Sequence, residues 1–271
     1  MEKAANFFTY PFVWGLCLGL LFFFFSAWAH FKTKRELRQM QLLLENPAQA
    51  KRLGIEPPTG LLLYGPPGTG KTTVARVLAA QANCRFLTTS AAETNSMWIG
   101  EGEKAVARLF AEARASAPAI VFLDEIDALI PTRMGGMLQF SDKIVNQFLY
   151  EMDGLRANPG VFVVGATNRP EMLDAALLRG GRLSRQIEIP LPEEDGRRQI
   201  LALHTEGASI APDVDLDELA RETDGFSGAD LRAMVNEAGL QALIRLADVG
   251  GDELLTRDDF ILARENLTRE S

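Results

Sequence analysis

No charged side chain occurs from residue 4 to residue 29, and from Pro11 to Phe31 the chain is almost entirely apolar. About 20 helical residues cross a bilayer core of about 30 Å, so residues 1–31 are expected to form a membrane anchor. Pro11 suits a first helical turn, where its missing N–H costs nothing. Tyr10, Trp14 and Trp28 lie toward the two ends, as in an aromatic belt. Lys32, Lys34, Arg35 and Arg38 follow at once, while only Lys3 is basic before the run. That asymmetry predicts a single pass with the rest of the chain on the cytoplasmic side, which in a bacterium would be at the inner or plasma membrane. A cleaved signal peptide is the competing reading, because Ala27-Trp28-Ala29 has the small-residue form of a cleavage site. The sparse basic start and the long aromatic core oppose it. A buried core helix is opposed by Phe22, Phe23, Phe24 and Phe25, which leave no polar face.

The pattern then changes period. Residues 32–58 read as a short charged linker with a helical stretch over 36–44, broken by Asn46-Pro47 and Pro57-Pro58. Short uninterrupted apolar runs at 61–64, 85–88, 120–123, 161–166 and 186–189 predict strands buried on both faces. Helical patterns alternate with them at 72–82, 103–115, 142–152 and 174–178. This alternation predicts an α/β domain with a doubly wound parallel sheet over 59–193. Beyond residue 194 only helical patterns remain, at 197–204, 216–222, 229–246 and 256–266, which predicts a small all-helical domain over 194–271.

Composition adds mainly exclusions. The net charge of −8 argues against nucleic acid as the main partner, since that calls for a basic face. The two cysteines, Cys17 and Cys84, have no metal-ligand spacing. Neither His30 nor His204 begins an H-E-x-x-H motif, so no peptidase activity of the zinc type is expected in this chain.

The chemistry lies in three strand ends. Gly65-Pro66-Pro67-Gly68-Thr69-Gly70-Lys71-Thr72 fits G-x-x-x-x-G-K-[ST] between a strand and a helix, the context that makes it a phosphate-binding P-loop. Its glycines let backbone N–H groups turn inward, and the following helix, which continues with Thr73, points its positive end at the same anion. Lys71 is expected to bridge the β- and γ-phosphates of ATP and Thr72 to place its hydroxyl on Mg²⁺. The second apolar strand of this kind ends in Asp124-Glu125. Asp124 suits the outer shell of Mg²⁺ and Glu125 the general base for an attacking water. Asp127 either assists nearby or merely favours the start of the next helix. Asn168 follows the strand at 161–166, where it would bond the water or the γ-phosphate.

With these residues the segment from about Glu45 to Asn266 resembles an AAA ATPase module, in the texture of the FtsH and cell division cycle protein 48 clade. In that resemblance Gly65 to Thr72 is Walker A, residues 120–125 are Walker B, and Asn168 is sensor 1. The stretch 173–185 resembles the second region of homology, which implies that Arg182 and Arg185 reach the nucleotide of a neighbouring subunit. Surface solubility is the plainer reading of the same arginines. Residues 225–231 resemble the lid motif, with Gly228 and Ala229 lining the adenine pocket. His204 is either the lid histidine near the ribose or base, or a satisfied core residue. Trp98-Ile99-Gly100 resembles the pore loop that grips an unfolded polypeptide, against the alternative of a core tryptophan. Asp153-Gly154-Leu155 resembles the inter-subunit signalling turn, or is a plain turn.

The family's Phe-x-Asp-Val-x-Gly segment, which packs against adenine, is not found before Gly65. Gly180, Leu183 and Ser184 stand where Pro, Phe and Asp are common. The resemblance implies a homo-oligomeric, hexameric ring that couples ATP hydrolysis to unfolding, extraction or remodelling of a protein substrate at the membrane. The alternative is a nucleotide-switched assembly or regulatory subunit working with a separate protease or membrane complex.

Overall fold

The computed structural model describes residues 31–55, 58–90, 102–129, 139–155, 160–179 and 181–270. The expected anchor therefore lies outside the described residues apart from Phe31, and so does the Trp98-Ile99-Gly100 segment. Among the described residues no helix is long and apolar enough to cross a membrane. The described residues form two compact bodies, one from 31–65 and 71–189, the other from 66–70 with 190–270.

The first body is built on a five-stranded sheet. Its strands are β1 (Gly60–Tyr64), β2 (Arg85–Ser90), β3 (Ala119–Asp124), β4 (Val161–Thr167) and β5 (Arg185–Glu188). They run parallel in the order β2-β3-β4-β1-β5. Leu61, Leu62, Leu63, Ile120, Val121, Val163 and Val164 are fully buried, because helices cover the sheet and leave no face for polar alternation. The helices α1 (Phe31–Glu45), α2 (Pro47–Arg52), α3 (Lys71–Gln81), α4 (Gly102–Ala115), α5 (Ile126–Leu129) and α6 (Gln139–Gly154) belong to this body. Val106, Phe110 and Ala113 form the buried stripe of α4 at helical spacing, and Val145, Phe148 and Met152 that of α6. The two stripes meet edge to face at Phe110 and Phe148, 5.5 Å between ring centres.

Two expectations change here. The helical stretch expected over 36–44 is longer, Phe31–Glu45, and a short helix Pro47–Arg52 follows it within the expected linker 32–58, with Leu37, Met40 and Ala50 buried. Arg35 and Arg38 are exposed, so the ends of an amphipathic helix looked like a polar connector. Residues 174–178 form a turn and not a helix. Asp174 Oδ1 accepts the Ala176 N–H at 2.8 Å, and the Leu183 N–H donates to Leu177 O at 3.0 Å. The chain doubles back there so that Leu173, Leu177 and Leu183 all enter the core.

The second body contains α7 (Glu194–His204), α8 (Leu216–Glu222), α9 (Gly228–Val249) and α10 (Arg257–Glu270). Leu201, Leu219, Leu231, Met234 and Phe260 fill its core. Asp259 of α10 is almost fully buried and accepts two bonds from Arg245 of α9 (3.2 and 3.0 Å) and two from Thr256. Burial raises the pKa of that carboxyl, but the bonds from Arg245 and Thr256 outweigh it, leaving the group more acidic than an ordinary aspartate.

Candidate nucleotide-hydrolysis site

In a parallel sheet ligands bind beyond the carboxyl ends of the strands, and the expected chemistry gathers there. β1 ends at Tyr64 and the chain enters the loop through Gly65, whose φ is +143°. A Cβ at that position would stand 2.2 Å from Ile189 O, so only glycine fits. The Lys71 ammonium is buried and donates to Gly65 O at 2.9 Å. Burial lowers its pKa, with Asp124 pulling the other way. A cation held in so dry a place gains most from the negative charge of a phosphate.

The Thr72 hydroxyl donates to Asp124 Oδ2 at 2.9 Å. This brings together the two oxygens expected to serve Mg²⁺. Hard oxygen donors in that number fit a magnesium ion that takes its other ligands from phosphates and water. Among the described residues no group of three or more His, Cys, Asp or Glu could hold a metal alone.

The second oxygen of Asp124 accepts the Glu125 N–H at 3.1 Å. Both carboxylate oxygens of Asp124 are thus engaged. The Glu125 side chain is exposed and makes no hydrogen bond among the described residues, and its backbone sits at φ +51°. A short turn carries the chain from β3 into α5, where Asp127 accepts the Thr167 hydroxyl at 2.6 Å. Thr167 closes β4, and Asn168 beside it is exposed with no hydrogen bond among the described residues.

The two arginines differ sharply. Arg182 donates through Nε and Nη2 to both oxygens of Asp153 (2.9 and 2.8 Å) and through Nη1 to Ala176 O (2.8 Å). The bond to Asp153 raises its pKa further. Arg185, the first residue of β5, is exposed and has no polar partner among the described residues. It stands on an open groove of about 560 Å³ lined also by Glu36, Met40, Leu43 and Ile187. Leu183, where the family has Phe, is fully buried. Gly180 lies outside the described residues.

The second body contributes its own contact to the loop residues 66–70. Thr69 is buried and its hydroxyl donates to Pro66 O at 2.9 Å. Pro66, Pro67 and Gly68 are exposed, as is Thr73 in the helix that follows the loop. The Ala229 N–H, in the first turn of α9, donates to Gly68 O at 3.2 Å. Gly68 lies at φ +71°, and a Cβ there would be 2.5 Å from Ser227 Oγ and 2.8 Å from the Ala229 Cβ. Ser227 and Asp230 form a reciprocal capping box that fixes this helix start, placing Gly228 and Ala229 beside the loop. The Ser-x-x-Asp spacing before an apolar run was a readable signal for it. No comparable signal tied Asp153 to Arg182 or Asp127 to Thr167.

His204 ends α7 and is half-buried. Burial, then Arg232, lowers its pKa below that of an ordinary histidine, which favours the neutral imidazole. A depressed folded-state pKa means that the unfolded chain takes the proton more readily. The stability it contributes is whole above its unfolded pKa of about 6.5 and falls as pH drops through the lower folded value. Denaturation midpoints measured from about pH 7.5 to 5 are expected to fall more steeply for the native chain than for His204→Gln. Parallel profiles would mean that the imidazole does not titrate against the fold.

The family model for the ATPase family associated with various cellular activities (AAA) matches residues 61–191, and the AAA+ lid domain matches residues 213–260. The chain is 44% identical over 250 residues to the cell division cycle protein 48 homolog of Archaeoglobus fulgidus, covering 86% of this chain and 34% of that protein. It is 46% identical over 213 residues to the proteasome-activating nucleotidase of Methanothermobacter thermautotrophicus, covering 77% of this chain and 52% of the relative. It is 44% identical over 236 residues to the ATP-dependent zinc metalloprotease FtsH 3 of Synechocystis, covering 86% of this chain and 38% of the relative. The chain thus spans about a third to a half of these relatives' length.

Proposed function

The chain belongs to the AAA family of ATPases, and from that premise we propose that it hydrolyses ATP with Mg²⁺ and works as a membrane-tethered ring motor that unfolds or extracts proteins. The observation that carries the ring is Arg185, a guanidinium at the start of an edge strand with no polar partner among the described residues, beside Arg182, which its own subunit holds. An arginine that stabilises the transferring phosphoryl group from outside suits a site shared between subunits. Polypeptide as the substrate is supported by the similarity to proteins named for proteasome activation and proteolysis, and by the Trp98-Ile99-Gly100 segment in the sequence. The tether, with the ATPase on the cytoplasmic side, is supported by the charge-free run over 4–29 and the basic residues after it.

The residues divide the work as follows. The P-loop and Lys71 would hold and orient the phosphates, and Gly228, Ala229 and His204 are the residues that the resemblance assigns to the base and ribose. Thr72 and Asp124 would hold the magnesium ion, which would supply charge neutralisation for the phosphates. Glu125 accepts the proton of the attacking water, and Asn168 aligns that water or the γ-phosphate. Arg185 of the adjacent subunit stabilises the charge on the phosphoryl group in flight.

Steady-state ATP hydrolysis by the full-length chain in lipid nanodiscs, with and without an unfolded model polypeptide, tests the reading. Severalfold stimulation by the polypeptide is expected, and Trp98→Ala should lose it. Turnover near zero with ATP still bound would overturn the motor in favour of a nucleotide-switched assembly subunit.

A further inference from the structure

We propose that Asp127 is a positioning residue for hydrolysis, acting through Thr167 to hold Asn168 opposite Glu125. The Thr167 side chain is buried at the last position of β4, where its residue pairs with Tyr64 of β1. A hydroxyl has one proton and two lone pairs. The Thr167 proton goes to Asp127 Oδ1 at 2.6 Å, a short charge-assisted bond. That fixes the rotor and aims the oxygen at the Arg169 N–H, which it accepts at 2.9 Å. A side-chain oxygen that accepts the N–H two residues on closes a tight turn around the residue between them. Here that residue is Asn168. With the rotor free, the hydroxyl could donate instead to a nearby carbonyl, and the turn would lose its closing bond.

The tie also sets a distance that the chemistry uses. Asp127 lies two residues after Glu125 in the turn between β3 and α5, whereas Asn168 follows β4. The carboxylate therefore pins the end of the strand that carries the base to the end of the strand that carries the water-aligning amide. Support for a helix start, the other use of a carboxylate there, needs no partner on β4. The inference rests on the reading of Asn168 as the group that aligns the water or γ-phosphate, and a misplacement of about 1 Å in such a group costs up to about a hundredfold in rate.

A double-mutant cycle on the full-length chain tests it, with turnover and ATP affinity measured for each variant. Asp127→Ala is expected to lower kcat about tenfold or more with ATP affinity nearly unchanged, and Asp127→Asn, whose amide oxygen can still accept the hydroxyl, to recover most of the loss. Asn168→Ala should lower kcat at least as far, and adding Asp127→Ala to it should lower kcat no further. Equal losses in both backgrounds would overturn the inference while leaving Asn168 its role. An Asn168→Ala variant with full turnover would overturn the role of Asn168 itself. Thr167→Val, close in shape to threonine, runs the same cycle should Asp127→Ala fail to fold, and its additivity with Asn168→Ala would be equally fatal.

Discussion

Replacing Glu125 with Gln is expected to cut ATP turnover by about a hundredfold or more while ATP stays bound, since a positioned general base contributes about 10²–10⁴-fold. Two adjacent carboxylates compete for that role, and the structure separates them. Asp124 is engaged on both oxygens, by the Thr72 hydroxyl and the Glu125 N–H. Glu125 has neither oxygen engaged among the described residues and is exposed. Gln keeps the size and removes the basicity, so phosphate release should fall and nucleotide content after gel filtration should not. The backbone supplies a control of opposite sign. Glu125 sits at φ +51°, a left-handed conformation that costs a side-chain-bearing residue about 1–2 kcal/mol and glycine little. Glu125→Gly should therefore be as inactive as Glu125→Gln, yet more stable by about 0.5–1 kcal/mol in a urea titration. Turnover within a fewfold of the native rate in Glu125→Gln would remove Glu125 from the base position. A glycine variant that melts earlier would show that the turn is held by something other than backbone preference.

What could be read from the chain depended on how locally each feature is encoded. The P-loop is encoded by eight adjacent residues, and its glycines are demanded by the backbone there, so sequence alone located it. The buried strands were legible because a sheet covered on both faces leaves an unbroken apolar run, as at Ile120, Val121, Phe122 and Leu123. Residues 174–178 misled because a five-residue segment, Asp174-Ala175-Ala176-Leu177-Leu178, is too short for its pattern to separate a helix from a turn. The deciding contact is the Leu183 N–H on Leu177 O, made by a chain that has reversed. The helix Phe31–Glu45 was legible only over 36–44, because its buried stripe is narrow and the charges at its start resembled a connector. The pairings that tune the site were not legible at all. Asp153 and Arg182 are 29 residues apart, and Asp127 and Thr167 are 40 apart. Each needs the fold to bring its partner within reach, so only residue type was visible beforehand.

Arg185→Ala is expected to lower turnover about 10³-fold or more, because an arginine supplied from outside contributes about 10³–10⁵ to phosphoryl transfer. Arg182→Ala should behave differently, although sequence gave the two arginines one role. Every nitrogen of Arg182 donates within its own subunit, two to Asp153 and one to Ala176 O. Hydrogen bonds to charged groups are worth about 1.5–3 kcal/mol, so removing this side chain should lower stability as well as activity, and Asp153→Ala should reproduce part of the stability loss. Arg185 makes no such bonds among the described residues, and its removal should leave the unfolding free energy within about 0.5 kcal/mol of native. The two phenotypes separate a guanidinium that shapes its own subunit from one that completes another's site. Mixing decides whether the site is shared. An Arg185→Ala subunit keeps an intact P-loop, and a Lys71→Ala subunit keeps an intact Arg185. If the arginine acts across an interface, rings assembled from both inactive variants contain some sites with every group present, and turnover reappears in proportion to those junctions. If Arg185 acted within its own subunit, no mixed junction would be complete and the mixture would stay as inactive as its parts.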